Sequence, residues 1–239
     1  MISVCMATYN GEPFIREQLQ SILIQLSKED EVWIADDGST DGTLKFIQAF
    51  QDSRIRVIPP CKTPLGPIYN LERALSHAQG NFIFLADQDD VWLPNKVSKV
   101  LEAFHDPSVN CVLHDAFIYA QNESGEWIPK EKIFDLRPPR HGIWQNALKN
   151  SFTGCCMAFR RELLNAALPF PQKLPMHDQW IGLCAEKTKK VRFLNEPLVK
   201  YRKHSHNVTD LLGGNRASLK QKLLWRLRLA RILCAGFRR

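Results

Sequence analysis

Five apolar residues give way to three carboxylates in Phe82-Ile-Phe-Leu-Ala-Asp-Gln-Asp-Asp-Val-Trp92. A continuous apolar run is typical of a buried strand in a parallel sheet, and ligands bind just beyond the carboxyl ends of such strands. The carboxylates of Asp87, Asp89 and Asp90 repel one another, so we expect a cation among them. Hard oxygen ligands on a loop suit Mg²⁺ or Mn²⁺. The alternative is a surface turn whose aspartates cap a helix that begins near Pro94.

Strands alternate with helices in the sequence that leads up to this run. The short connections between them predict an α/β fold, in which a mostly parallel, Rossmann-like sheet is flanked by helices. Gly80 has the position of a glycine that ends the helix before the fourth strand. The predicted strands are Ile2–Ala7, Val32–Ala35, Ile55–Ile58 and Phe82–Ala86, and the predicted helices begin near Pro13, Thr43 and Leu65.

The second half is less regular. Residues 121–142 are polar and lack periodicity, which predicts a long functional or mobile loop. We expect one domain over 1–210, divided into a half at 1–115 and a half at 116–210, followed by a separate tail at 211–239. The predicted elements are strands at Val112–Ala120, Cys155–Arg160, Val191–Leu194 and Leu198–Tyr201, and helices at Arg161–Ala167 and Asp178–Lys187.

The positive charge of the chain is concentrated in its tail. The formal net charge is +7, and residues 211–239 contain eight Lys or Arg and no acids, which leaves residues 1–210 at −1. A near-neutral main domain argues against a nucleic-acid-binding face. Seven cysteines without a CxxC pair, and no signal-peptide pattern at the first residues, are typical of a cytosolic protein with reduced thiols.

The tail reads as a basic helix from Ser218 onward, although its amphipathicity is imperfect. With Trp225 and its arginines it suits an anionic membrane surface, so we expect peripheral membrane contact through 216–239. A helix packed on the domain or on a partner protein is the alternative. The apolar residues predicted to share one face are Leu219, Leu223, Leu227, Ala230 and Leu233.

Three loops that are distant in sequence should meet at one edge of the sheet, because each follows a parallel strand. They are Thr8-Tyr9-Asn10, Asp36-Asp37-Gly38-Ser39 and Asp87-Gln88-Asp89-Asp90. Neither a dinucleotide fingerprint nor a P-loop is present. A carboxylate can accept hydrogen bonds from a base or a ribose while a cation binds the phosphates. Helix capping and turn formation are the alternatives for the first two loops.

These motifs resemble family 2 glycosyltransferases with the GT-A fold, over roughly residues 1–207. The resemblance rests on Ser3-Val-Cys-Met-Ala-Thr-Tyr-Asn10, Ile34-Ala-Asp-Asp-Gly-Ser-Thr-Asp41 and Asp87-Gln-Asp-Asp90, in this order. Asp-Gln-Asp-Asp-Val-Trp is similar to the rhamnosyltransferase-like branch. The resemblance assigns nucleotide-sugar binding to Thr8, Tyr9, Asn10, Glu12, Asp37, Asn70, Asp87 and Gln88. It assigns a Mn²⁺ or Mg²⁺ ion to Asp89 and Asp87; His204 is a further candidate, though a lone histidine in a basic loop more often faces solvent.

The resemblance also implies a general base in the second half. Pro175-Met-His-Asp-Gln-Trp180 places Asp178 at the start of a helix, and an Asp at this position resembles the family's base. One base would deprotonate the acceptor hydroxyl as it attacks the anomeric carbon, and a single displacement inverts that carbon. The alternative is that Asp178 is only the N-cap of its helix.

Together these features imply a metal-dependent inverting glycosyltransferase at the cytoplasmic side of a bacterial membrane. Its donor would be a nucleotide sugar, such as dTDP-rhamnose, and its acceptor a glycan or lipid-linked saccharide of a surface polysaccharide. A sugar nucleotidyltransferase and a non-catalytic sugar-nucleotide-binding subunit are the alternatives. The product distinguishes them: a nucleoside diphosphate, pyrophosphate, or nothing.

Overall fold

The computed structural model describes residues 1–187, 190–204 and 218–236, and within these ranges the strands form one mixed sheet. The strands are β1 (Ile2–Thr8), β2 (Glu31–Asp36), β3 (Ile55–Ile58), β4 (Phe82–Asp87), β5 (Val91–Trp92), β6 (Cys111–Gln121), β7 (Trp127–Lys132), β8 (Met157–Arg160) and β9 (Val191–Lys203). The helices are α1 (Ile15–Leu23), α2 (Thr43–Gln48), α3 (Gly66–His77), α4 (Lys96–Ala103), α5 (Ile133–Leu136), α6 (Ile143–Leu148), α7 (Leu164–Ala167), α8 (His177–Lys187) and α9 (Leu219–Gly236).

The first half of the sheet is parallel, with the strand order β3-β2-β1-β4. β1 pairs in parallel with β2 on one side and with β4 on the other, so the loops after these three strands emerge at the same edge. All three strands are largely buried, because helices cover the sheet. The α/β class and the four predicted strands of this half are confirmed.

The second half adds antiparallel strands, which make the sheet mixed as a whole. β8 pairs antiparallel with both β4 and β6, while β6 and β9 run parallel to each other. The two strand pieces predicted near the end of the domain form one strand, β9. The prediction broke at Pro197, which has no N–H to donate and lies where the β6–β9 register shifts.

The prediction of a long functional or mobile loop at 121–142 was wrong over 127–136. β7 forms an antiparallel hairpin with β6, and α5 follows directly. The hairpin turn is built by Asn122, whose side-chain oxygen accepts the N–H groups of Ser124 and Glu126. Gly125 in this turn has φ +81°, a conformation that glycine adopts without strain. β7 is a largely exposed, polar edge strand, so it carries no alternating pattern that would reveal it.

The prediction that Gly80 caps α3 was also wrong. The last helical residue is His77, and the backbone of the next residue, Ala78, is extended. Gly80 does not have the positive φ of a glycine that ends a helix. Instead, Gly80 lies against β1, where an added Cβ would be 2.5 Å from the Ser3 nitrogen. Its N–H donates to Ser3 Oγ at 2.7 Å. The glycine is therefore required by close approach of two backbones.

The tail contains the predicted helix, α9, but it buries a different face. Leu229 and Leu233 are buried against the core, whereas Leu227 and Ala230 are exposed. α9 packs against α6, an element that the sequence did not predict. The side chains of Leu219 and Leu223 lie outside the described part of the chain. Among the described helices, none has both the length and the hydropathy needed to span a bilayer.

Candidate active site

Hydrogen bonds join the loop after β1 to the loop after β2. Thr8 Oγ1 donates to Asp36 Oδ1 at 3.0 Å, and the Asn10 N–H donates to Ser39 Oγ at 2.9 Å. The Asn10 side-chain oxygen accepts the Thr40 N–H at 2.9 Å, which requires the positive φ of 48° at Asn10. The first two predicted loops therefore form one surface at the edge of the sheet.

A reciprocal pair joins the loop after β1 to the acidic loop after β4. The Tyr9 N–H donates to Gln88 Oε1 at 2.9 Å, and Gln88 Nε2 donates to the Tyr9 carbonyl at 3.0 Å. The Tyr9 residue is 53% exposed at this junction. Together with the preceding bonds, this pair brings all three predicted loops to one site.

Several predicted nucleotide-binding residues are engaged within the protein. Asp37 accepts the N–H groups of Leu65 and Gly66 at 2.8 and 2.9 Å, so it caps the start of α3. Glu12 accepts the Gly42 N–H at 2.8 Å. Thr8 is only 2% exposed and contacts Asp36 in the interior. Tyr9, Asn10 and Glu12 are exposed at the surface.

Asn70 is placed away from any ligand surface. Its side chain is fully buried, donates to the Ala35 carbonyl of β2 and accepts from Arg73. Its predicted contact with a nucleotide stays a prediction, and its burial leaves no exposed side-chain surface for that contact. Its chemistry here is structural, since it fixes α3 on the sheet.

Asp87 stands at the centre of a group of carboxylates. Burial, together with the charges of Asp89 and Asp178, raises the pKa of Asp87 to about 7, while Lys96 opposes this shift. The first turn of α8 and the acidic loop both lie against the turn at Gly154–Cys156, since Gly154 is close to Asp178 and Cys155 is close to Asp87. At the start of α4 the Val97 N–H donates to the Gln25 side-chain oxygen and the Lys96 N–H to the Leu93 carbonyl, so these N–H groups are satisfied without the aspartates.

Asp178 lies inside the first turn of α8, which begins at His177, and not at the capping position. Its Oδ1 accepts the Gln179 N–H at 2.6 Å and the Asn150 side-chain amide at 3.3 Å. A 3₁₀ turn at Gly154–Cys156 supports it from behind, because a Cβ on Gly154 would lie 3.9 Å from the Asp178 Cβ. These contacts hold the carboxylate in one orientation.

The sequence did not predict a buried lysine beneath the acidic loop. Lys96 is fully buried, its Nζ donates to the Cys155 carbonyl at 2.8 Å and lies 4.1 Å from the centre of the Trp92 ring. Burial lowers its pKa to about 8, while the thiols of Cys156 and Cys155 and then the carboxylates of Asp90 and Asp87 oppose that shift. Its position six residues after Asp90 in the sequence was the available signal.

The carboxylate oxygens of the acidic loop suit a hard divalent cation. The ligand atoms of the three predicted ligands, Asp87, Asp89 and His204, do not all lie within 4.8 Å of one another. Asp89 Oδ2 lies 2.8 Å from His204 Nε2, and the His204 ring stacks on Phe14. Among the described residues, the one cluster with ligand atoms within 4.8 Å of one another is Asp87, Asp90 and Cys155.

Asp90 differs from the other two aspartates of the loop. It is fully buried, its Oδ1 accepts the Arg202 N–H at 3.2 Å, and its Oδ2 has no hydrogen-bond partner. A hydrogen bond to the Cys156 thiol, and burial, raise the pKa of the Cys155 thiol. A protonated thiol is a poor ligand for Mg²⁺ or Mn²⁺. Carboxylates therefore supply the donors suited to such an ion, and the roles of Asp87, Asp89 and His204 stay predictions.

The family is decided by the sequence as a whole. Residues 3–168 match the model of Glycosyl transferase family 2. The chain belongs to this family. The match includes all three loops of the site, from Thr8 to Asp90, but ends before Asp178.

Three curated relatives of this family 2 protein come from bacteria. It is 27% identical to the putative teichuronic acid biosynthesis glycosyltransferase TuaG of Bacillus subtilis, over 88% of this chain and 82% of TuaG. It is 26% identical to the dTDP-rhamnosyl transferase RfbG of Shigella flexneri, over 84% and 72%. It is 27% identical to the UDP-Glc:alpha-D-GlcNAc-diphosphoundecaprenol beta-1,3-glucosyltransferase WfgD of Escherichia coli, over 88% and 80%.

Solved structures of related proteins share the GT-A fold of this family 2 chain. S. aureus TarS 1–349 in complex with UDP-GlcNAc superposes with a TM-score of 0.74 at 20% identity, covering 98% of this chain and 67% of that one. The mannosyltransferase PcManGT of Pyrobaculum calidifontis, in complex with GDP-Man and Mn²⁺, gives a TM-score of 0.59 at 23% identity, covering 82% and 54%. The chain spans 40% of the longer TarS chain.

Proposed function

We propose that the chain is a metal-dependent, inverting glycosyltransferase that acts in bacterial surface polysaccharide synthesis. The observation that carries the proposal is the meeting of two carboxylates from different halves of the chain. The 3₁₀ turn at Gly154–Cys156 lies against both of them: a Cβ on Gly154 would be 3.9 Å from the Asp178 Cβ, and the Cys155 sulfur lies within 4.8 Å of an Asp87 carboxylate oxygen. Transfer needs two groups in one site: one that helps to bind the leaving diphosphate, and a base that deprotonates the acceptor hydroxyl.

The proposed reaction is a single displacement. Asp178 accepts the proton of the acceptor hydroxyl, whose oxygen forms a bond to the anomeric carbon. The bond from that carbon to the donor phosphate breaks, and its electron pair leaves with the nucleoside diphosphate. Asp87 and Asp89, with His204, would hold Mn²⁺ or Mg²⁺, which supplies positive charge for the leaving group. Tyr9, Asn10 and Glu12 line the side that we assign to the nucleotide.

The general-base role of Asp178 predicts a large loss of transfer in Asp178→Asn with nucleotide binding retained. General acid–base groups contribute about 10²- to 10⁴-fold to rate, so a loss of this size is expected. Asp135→Asn is the matched control, because Asp135 is an exposed acid in the first turn of α5. Full transfer by Asp178→Asn would remove the residue from this role.

Product analysis separates this proposal from its two alternatives. Release of a nucleoside diphosphate together with a glycosylated acceptor supports transfer, whereas pyrophosphate would indicate a nucleotidyltransferase. Absence of any product with every donor would support a binding subunit. Addition of EDTA, or the Asp89→Ala substitution, is expected to abolish transfer, and undiminished activity in either case would contradict metal dependence.

For the donor we propose dTDP-rhamnose, and for the acceptor a glycan or a lipid-linked saccharide. The rhamnose proposal is supported by the similarity to RfbG and by Asp87-Gln-Asp-Asp90-Val-Trp, and the lipid-linked acceptor by the similarity to WfgD. Thermal-shift titrations with dTDP-rhamnose, UDP-glucose and UDP-GlcNAc, each with Mn²⁺, test the donor, because a ligand of the native state raises its stability. A larger shift with a UDP-sugar would overturn the rhamnose proposal.

We further propose that the enzyme works at the inner face of the cell membrane, with peripheral contact through 216–239. The absence of acids and the eight basic residues in 211–239 support attraction to an anionic surface. The acceptor of WfgD, a diphosphoundecaprenol-linked sugar, is by its name a membrane lipid.

A further inference from the structure

Exposed apolar side chains gather on two neighbouring helices, α6 and α9. Trp144 and Leu148 lie one turn apart on α6 and are 77% and 65% exposed. Leu224 and Leu227 on α9 are 46% and 52% exposed. Because α9 packs against α6, these side chains lie on two helices that are in contact.

The helix α9 presents two different faces. Leu229 and Leu233 are buried in the core, which fixes the inward side of the helix. Leu224, Leu227 and Arg231 have the spacing i, i+3 and i+7, which places them on the opposite, outward side. All three side chains are exposed, so the outward face carries both leucines and an arginine.

The charged residues on these two helices are basic, while the acid that contacts the start of α6, Glu186, is buried. Residues 137–149 contain Arg137, Arg140 and Lys149 without an acid, and α9 contains basic residues without an acid. Tryptophan, leucine and arginine on one surface are the composition that binds the interface of an anionic bilayer. An acidic or neutral patch, by contrast, would suit other partners.

We propose that α6 and α9 together form a docking surface for an anionic lipid bilayer. We call it the α6–α9 surface and define it by Trp144, Leu148, Leu224, Leu227, Arg228 and Arg231. The proposal rests on the proposed function, because it extends to α6 the membrane contact proposed for 216–239 and places a lipid-linked acceptor in this bilayer. Asn150, two residues after the end of α6, contacts Asp178, so docking through α6 sets the proposed base beside the membrane.

The test is cosedimentation of the full chain with vesicles. The wild type is expected to bind phosphatidylglycerol-containing vesicles and to leave pure phosphatidylcholine vesicles unbound. Trp144→Ser with Leu148→Ser should weaken binding at least about tenfold, since both apolar anchors are lost. Each of Arg228→Gln and Arg231→Gln should weaken it about fivefold. Ile24→Ser is the matched control, because Ile24 is 85% exposed and lies directly after α1, away from this surface.

Three results would overturn the proposal. The first is unchanged vesicle binding by the Trp144→Ser/Leu148→Ser variant. The second is a wild type that does not bind anionic vesicles, and the third is a wild type that self-associates in sedimentation through these two residues. Thermal-shift titration with nucleotide and Mn²⁺ is run in parallel on every variant. Loss of vesicle binding with intact nucleotide binding bears on this surface alone, whereas absence of nucleotide binding in the wild type bears on the proposed function.

Discussion

At the scale of single residues, the buried ammonium of Lys96 has the largest expected effect on stability. We expect Lys96→Met to cost about 3–5 kcal/mol in free energy of unfolding, the usual result of removing one partner from a buried charged group. The Cys155 carbonyl loses its donor, and the nearby carboxylates lose a cation. Urea denaturation in EDTA measures the loss.

The control for this substitution lies on the same helix. Lys99 is exposed and pairs with Glu196 at 3.4 Å, so Lys99→Met should change stability by less than about 1 kcal/mol. Equal losses in the two variants would show that the burial of Lys96 is without consequence. Mn²⁺ should recover part of the loss in Lys96→Met, because it restores positive charge near Asp87.

The raised pKa of Asp87 predicts a pH dependence of stability. An unfolded Asp loses its proton near pH 4, whereas burial and the charges of Asp89 and Asp178 hold the native pKa at about 7. The native state therefore binds this proton more tightly, and the resulting stability is present below about pH 4 and is lost as the pH rises through about 7. Asp87→Asn removes this dependence.

Melting temperatures in EDTA at several pH values measure the effect. The difference between Asp87→Asn and the wild type should grow in favour of the variant from about pH 5 to about pH 8. A constant difference across this range would contradict the raised pKa. Asp135→Asn again serves as the control, since that carboxylate is exposed.

At the scale of elements, α8 is held by close contact with the segment before β8. A Cβ on Gly182 would lie 2.3 Å from the Phe152 ring, which is fully buried. We expect Gly182→Ala to destabilise the protein by about 1–3 kcal/mol through overpacking and to reduce transfer, because α8 carries Asp178. Phe152→Leu in the same chain should restore both, as measured by denaturation and product formation. Failure of Phe152→Leu to restore either property would argue against this contact.

Elements with a buried face were predictable, and those without one were not. β1, β2 and β4 have continuous apolar sequences because both of their faces are covered, and their bounds were found to within about two residues. β7 was missed because its exposed positions carry no apolar alternation, although Asn122 and Gly125 marked its turn. The face of α9 was misassigned because leucines occur on both sides of that helix.

At the scale of the whole molecule, sequence order and strand parallelism were enough to bring the three loops together. The sequence did not predict which residues would be engaged within the protein. Asn70 and Asp37 have polar side chains that suit a ligand, yet tertiary packing directs them to Ala35 and to the start of α3. Lys96 was missed for the related reason that burial of a lysine depends on contacts from distant segments, here Cys155.

The reciprocal pair between Tyr9 and Gln88 has a thermodynamic consequence. One side chain links the nucleotide side of the site to the acidic loop, so a ligand that orders either loop also orders the other. We expect nucleotide and Mn²⁺ each to increase the affinity of the other by the same factor, because linkage is reciprocal. Gln88→Leu removes both bonds at similar volume and should reduce this factor towards one, which calorimetric titration of each ligand with and without the other would reveal. An undiminished factor would place the coupling elsewhere; a reduced one would make Gln88 the element by which this enzyme senses that its two ligands are present together.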